Sequence, residues 1–165
     1  MSDYYHMSPK LYAVGDEISG NGRDKVDSRI EDELEARKPE GFLARRDAMY
    51  CRPTTDFSRC GIVNAGYIYR VQPKGALQRH DLNWLGDMQK ALLRLKYAGN
   101  SLFKNYPEWN DALIERCCGP YWKHEASDSP VWEFLTPSVT IVKVVSDCII
   151  DATKTKGGWK PDSET

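Results

Sequence analysis

Hydrophobic and polar positions alternate most clearly in Gly66-Tyr67-Ile68-Tyr69-Arg70-Val71, which predicts a strand stopped by Pro73. Two further β-rich runs, 131–136 and 139–146, are split by Pro137-Ser138. Val139, Ile141, Val142, Val144 and Val145 make the second run nearly all apolar, the pattern of a strand buried on both faces. Residues 3–8 predict a short opening strand, because the Tyr4-Tyr5 pair favours extended backbone. Arg46 to Arg52 predicts another, carrying Ala48 and Tyr50. Helical spacing shows elsewhere. Val26, Ile30 and Leu34 share a face behind a Ser28-x-x-Glu31 capping box, predicting a helix over 28–38 that Pro39 and Gly41 end. Leu85, Met88, Leu92 and Leu95 form one stripe of a helix capped by Asp81 and closed by Gly99-Asn100. A third helix is expected from Pro107 to Cys118, with Gly119-Pro120 just past its end. Gly15, Gly20, Asn21 and Gly22 mark a loop, and Pro53-Thr54-Thr55-Asp56 opens a short helix ending near Gly61. The order of elements is that of an α+β domain, with helices inserted between early and late strands.

Composition narrows this picture without redirecting it. With 165 residues, 41% hydrophobic and 28% charged, residues 1–152 are expected to form one domain with a real core. The Lys-, Gly- and Pro-containing stretch 153–165 is expected to be a mobile tail. No apolar run reaches bilayer length and no signal-peptide pattern opens the chain, so no membrane contact is expected. A cytoplasmic setting fits, and delivery into a target cell by an injection apparatus or virus particle would leave the same sequence. Five cysteines lack Cys-x-x-Cys spacing, and the three histidines lack i, i+4 ligand spacing. Reduced thiols and no metal are therefore expected. Lys and Arg minus Asp and Glu is −4 over residues 1–41, +7 over 42–105 and −4 over 106–165. A basic middle of this kind attracts phosphate groups or a partner unless the three parts interleave in space and cancel.

Three short pieces carry the candidate chemistry. Glu133 lies between Trp132 and Phe134, on the strand face it shares with Leu135. A carboxylate buried among such neighbours is either paired or awaiting a ligand, although a solvent-facing edge position is the commoner situation. His6 ends the aromatic opening run, where a lone histidine is more often structural. Tyr50 precedes Pro53 and fits a half-buried strand tyrosine equally well. Arg45, Arg46, Arg52 and Arg59, near Tyr50 and Phe57, supply cations for phosphate, but no nucleic-acid module accompanies them.

In order and spacing, Tyr5-His6-Met7-Ser8, Val14-Gly15-Asp16, Ala48-Met49-Tyr50, Tyr67-Ile68-Tyr69-Arg70-Val71, Tyr121-Trp122 and Trp132-Glu133-Phe134-Leu135 resemble the ADP-ribosyltransferases. The likeness is to the diphtheria-toxin-like, His-Tyr-Glu branch, and especially to small bacterial and phage members related to the rifampin-modifying transferases. It covers Tyr4 to about Val145. It implies a split β-sandwich gripping NAD, which serves as substrate, between two small sheets. By resemblance His6 hydrogen-bonds one of the two riboses, Tyr50 stacks on nicotinamide, and Ser8, Phe57 and Arg46 belong to the cofactor-binding set. Glu133 is then the catalytic carboxylate, bonding the nicotinamide-ribose 2′-hydroxyl and stabilising positive charge as the glycosidic bond breaks. The implied reaction is mono-ADP-ribosylation of a macromolecular acceptor, a protein foremost, as in toxins and effectors. Two positions depart from the pattern. Val131 stands where arginine-modifying members carry Glu or Gln, which points away from an arginine acceptor, and Phe57 replaces a second tyrosine. An NAD glycohydrolase on the same fold, or a non-catalytic binding module using the basic 42–105 region, are the alternatives.

Overall fold

The computed structural model describes residues 3–57 and 66–146. Its strands are β1 (Tyr4–Ser8), β2 (Glu17–Ser19), β3 (Met49–Cys51), β4 (Tyr67–Lys74), β5 (Gln78–Asp81), β6 (Trp132–Thr136) and β7 (Ser138–Ser146). They form two antiparallel sheets, one of order β1-β4-β7-β2 and one of order β3-β6-β5. Three helices, α1 (Ser28–Ala36), α2 (Gly86–Lys96) and α3 (Asp111–Trp122), complete an α+β architecture.

Alternation along the three-stranded sheet gives it two unlike faces. Met49, Cys51 and Phe134 pack with Tyr69, Val71, Val139 and Ile141 of the larger sheet, which seals the two sheets against each other. Tyr50, Leu135, Glu133 and His80 occupy the other face. On the helical side Ile30, Leu34, Leu85, Met88, Leu92, Ile114, Tyr121 and Trp122 form a separate core. Tyr5 and Arg52 exchange two backbone hydrogen bonds, at 2.7 and 2.8 Å, and so tie β1 of one sheet to the end of β3 of the other. That tie sets the spacing of the candidate site.

Several boundaries differ from expectation, each for a physical reason. Asp27, not Ser28, caps α1, accepting from the Arg29 N–H at 3.0 Å. Glu31 instead turns inward and takes the N–H groups of Lys25 and Val26. α3 begins at Asp111, where the Asn110 side chain caps it, and runs through Gly119 and Pro120. A helical proline costs about 3 kcal/mol, but stopping there would withdraw Tyr121 and Trp122, both buried, from the core. β4 continues through Pro73, because β1 ends its pairing at Val71 and leaves no neighbour needing the missing donor.

The short polar strands β2 and β5 carry no alternating apolar signal, so only the structure reveals them. Asp81 caps not α2 directly but a 3-10 turn, Leu82–Leu85, that feeds it. Leu95, expected in the apolar stripe, is exposed. β7 is not buried on both faces. Val139 and Ile141 are inside, whereas Val144 and Val145 are partly exposed beyond the reach of β2. The expected 46–52 strand is a 3-10 turn, Arg45–Asp47, followed by β3. Residues 54–57 are not helical, and the rest of that expected helix, with Cys60, Cys148 and the 153–165 tail, lies outside the described residues. Cys51, Cys117 and Cys118 are buried free thiols. No described helix is long and apolar enough to cross a membrane.

Candidate functional site

A cavity of about 290 Å³ opens where β1, the loop after β2 and β3 meet. His6, Ser8, Tyr50 and Phe57 line it, together with Tyr12 and the loop residues Ser19, Asn21, Arg23, Asp24 and Lys25. His6 and Tyr50 are joined directly, since the imidazole Nδ1–H donates to the Tyr50 carbonyl at 2.8 Å. A carbonyl only accepts, so Nδ1 carries the proton and Nε2 is left as an acceptor. Burial holds the His6 pKa below its ordinary value, against the pull of that hydrogen bond, and so keeps the ring neutral.

The loop is built around one carbonyl. The Gly22 N–H and the Lys25 ammonium both donate to the Arg46 oxygen, at 3.0 and 2.9 Å. Gly20 is needed for this approach, because a Cβ there would come within 2.1 Å of the Asp47 carbonyl oxygen. The Arg46 guanidinium does not line the cavity. It is engaged by Asp24 and Asp32 at 2.5 and 2.6 Å instead.

Glu133 lies on the same sheet face as Tyr50 but is fully buried and outside the cavity lining. Its Oε1 accepts from the Tyr121 hydroxyl at 2.7 Å and from Arg45 Nη1. Arg45 also donates through Nε to Glu31 Oε2 at 3.1 Å and through Nη1 to Tyr121 at 2.8 Å. Two buried carboxylates thus share one buried guanidinium. Glu133 Oε2 and Arg45 Nη2 have no partner among the described residues. Burial pushes the Glu133 pKa up, while Arg45 and Tyr121 act against that rise. Lys25, half-buried at the cavity edge, feels the charges of Arg45, Glu31 and Glu133, and so links cavity and network.

The sequence did not single out this network. In the sequence Arg45 belongs to a basic group, Glu31 to a capping box and Tyr121 to the Tyr121-Trp122 pair, and nothing local links the three. The basic middle also disperses in space. Arg70 meets Asp3, Lys74 meets Glu17 and Arg94 meets Glu108, so acidic ends and basic centre largely cancel.

Beneath the network, His80 is fully buried, with its Nδ1–H on the Tyr121 carbonyl at 3.1 Å and its ring stacked on Tyr121. Burial is the main cause that lowers its pKa from 6.5 to about 4, and His124 and Arg45 press the same way. The unfolded chain therefore binds a proton that the folded one refuses. The expected outcome is full stability above pH 6.5, declining as pH falls to about 4, by about 3 kcal/mol for this group. Urea melts of the wild type and His80→Phe at several pH values isolate it from the carboxylates; a difference between the two that is flat across this window would exclude it.

Chemically, the cavity offers an aromatic face, a neutral imidazole acceptor and cations. The carboxylate on the shared sheet face stands behind Arg45. Among the described residues no group of three His, Cys, Asp or Glu side chains is arranged to hold a metal. No protein-family model matches the chain, and no curated protein matches it.

Proposed function

We propose that this protein is an NAD-dependent mono-ADP-ribosyltransferase with a split β-sandwich of the ADP-ribosyltransferase type, acting on a macromolecular acceptor, foremost a protein. The observation that carries the reading is the junction of His6 and Tyr50, distant in sequence, at one cavity whose sheet face continues to Glu133. In the reaction the bond between the ribose C1′ and the nicotinamide nitrogen breaks, and its electron pair leaves with neutral nicotinamide. The acceptor's nucleophile then bonds C1′ and loses its proton. His6 Nε2 suits a ribose hydroxyl as donor, Tyr50 suits the flat ring, and Ser8 and Phe57 complete the wall.

Glu133 stabilises the cationic ribosyl centre in this scheme, which requires the Arg45 guanidinium to turn aside. The nicotinamide ring of NAD carries a positive charge of its own. It brings a replacement counter-ion as the arginine withdraws, which limits the energy of exposing the buried carboxylate.

One observation favours a second reading. Glu133 is sealed by Arg45 and Tyr121, as a structural ion pair in a non-catalytic binding module would be. The test is nicotinamide release from NAD by the purified chain, with and without cell extract. Release that depends on extract, with label from NAD appearing on an acceptor, supports the transferase. Release without extract makes water the acceptor and the chain a glycohydrolase. No release in either case leaves the binding module.

A further inference from the structure

We infer that the loop Ser19–Lys25 forms an anion subsite for a pyrophosphate in the cavity, with Lys25 and Arg23 as its binding residues. The charged side chains lining the cavity, besides the neutral His6, are Arg23, Asp24 and Lys25. Asp24 is already neutralised by Arg46 at 2.5 Å. Neither Arg23 nor Lys25 forms a direct ion pair with a described carboxylate; Glu31, Glu133 and Asp47 act on Lys25 only at longer range, so both cations keep donors for a ligand.

Lys25 is the stronger of the two. Its ammonium is half-buried, and two of its three N–H bonds are taken by the carbonyls of Arg46 at 2.9 Å and Arg23 at 3.1 Å. The third remains for the cavity that this side chain lines. A cation stripped of part of its water, and given only neutral acceptors, gains most from an anionic ligand. The position is also fixed rather than floppy. The Lys25 backbone N–H is held by Glu31 at 2.9 Å, and Gly20 and Gly22 clamp the loop onto the 3-10 turn Arg45–Asp47. Ser19 and Asn21 add polar side chains to the same cavity lining.

Tyr50 and Phe57 line the same cavity, so an anion beside Lys25 and an aromatic ring of the ligand share one pocket. Naming the anion a pyrophosphate rests on the NAD reading; the placement of an anion beside Lys25 does not.

The experiment is calorimetric titration of the full chain with inorganic pyrophosphate, ADP and adenosine, beside the nicotinamide-release assay. Pyrophosphate and ADP are expected to bind, and adenosine far more weakly. Lys25→Gln is expected to weaken both anions roughly 10- to 100-fold, the range for losing a charged hydrogen bond. Arg23→Gln, at an exposed position that leaves the fold intact, is expected to weaken them several-fold, with the difference shrinking at high salt. Anion binding lost in these variants, in a chain that releases no nicotinamide, would uphold the subsite and reject the transferase. Nicotinamide release with an unchanged KM in both variants, or pyrophosphate binding equal in the wild type and Arg23→Gln, would overturn the subsite.

Discussion

Arg45→Met is expected to lower the unfolding free energy by about 3–5 kcal/mol, the range for removing one partner of a buried ion pair. For a chain of this length that corresponds to a drop of roughly 10 °C in Tm. The cause is not lost packing, since methionine fills a similar space. Glu31 and Glu133, both buried, lose the guanidinium they share and keep only the more distant Lys25 as a cation, and Tyr121 can donate only one hydrogen bond. Two consequences separate this explanation from simple misfit. The double variant Arg45→Met/Glu133→Gln is expected to recover much of the loss, because one of the uncompensated charges is gone. Lower pH is expected to help the single variant. The Glu133 pKa is already raised in the wild type, so its favourable protonation is fully present below pH 4.5 and is lost as pH rises through its folded value. Without Arg45 the folded value rises further and that window widens. A single variant within about 1 kcal/mol of wild type, or a double variant no better than the single, would show that the guanidinium does not hold this network together.

What the chain reveals before folding follows from the kind of signal each element carries. β4 and β6 announce themselves by alternation, and α1 by a stripe at helical spacing, because their apolar faces meet a core. β2 and β5 have no such face. β5 reads Gln-Arg-His-Asp, and its buried pair is held by polar bonds: Asp81 receives the N–H groups of Asn83, Ser127 and Val131. Ser127 and Val131 lie 46 and 50 residues away and leave no local periodicity. The same limit applies to the site. His6, Ser8, Tyr50 and Phe57 come together as a set through the resemblance, and the structure has all four lining one cavity. The resemblance points to Arg46, although of the two neighbours Arg45 is the buried one; a 3-10 turn, not a strand, sets which of the two arginines is buried. Lys25 was invisible because its role depends on the carbonyl of Arg46, and backbone acceptors have no sequence signature.

Glu133→Gln is expected to lower nicotinamide release by about 10²- to 10³-fold, the range for one electrostatic group aimed at a transition state. The loss should fall on kcat, with KM within a few-fold, because the developing ribosyl charge exists only in the transition state. Stability should move the other way or hardly at all. Glutamine keeps the shape and can still accept from Tyr121, while Arg45 retains Glu31 as its counter-ion. Removing a carboxylate whose ionisation burial already opposes relieves the network rather than breaking it. The pairing of the two outcomes is the point of the measurement. If Glu133 is only a structural member of the ion pair, the variant leaves release untouched, or any fall tracks a loss of folded protein in the denaturant melt. If it is the group that meets the ribosyl cation, turnover collapses in a chain that melts where the wild type does. That second combination also requires Arg45 to leave its place during catalysis, since a carboxylate still capped by the guanidinium cannot face C1′.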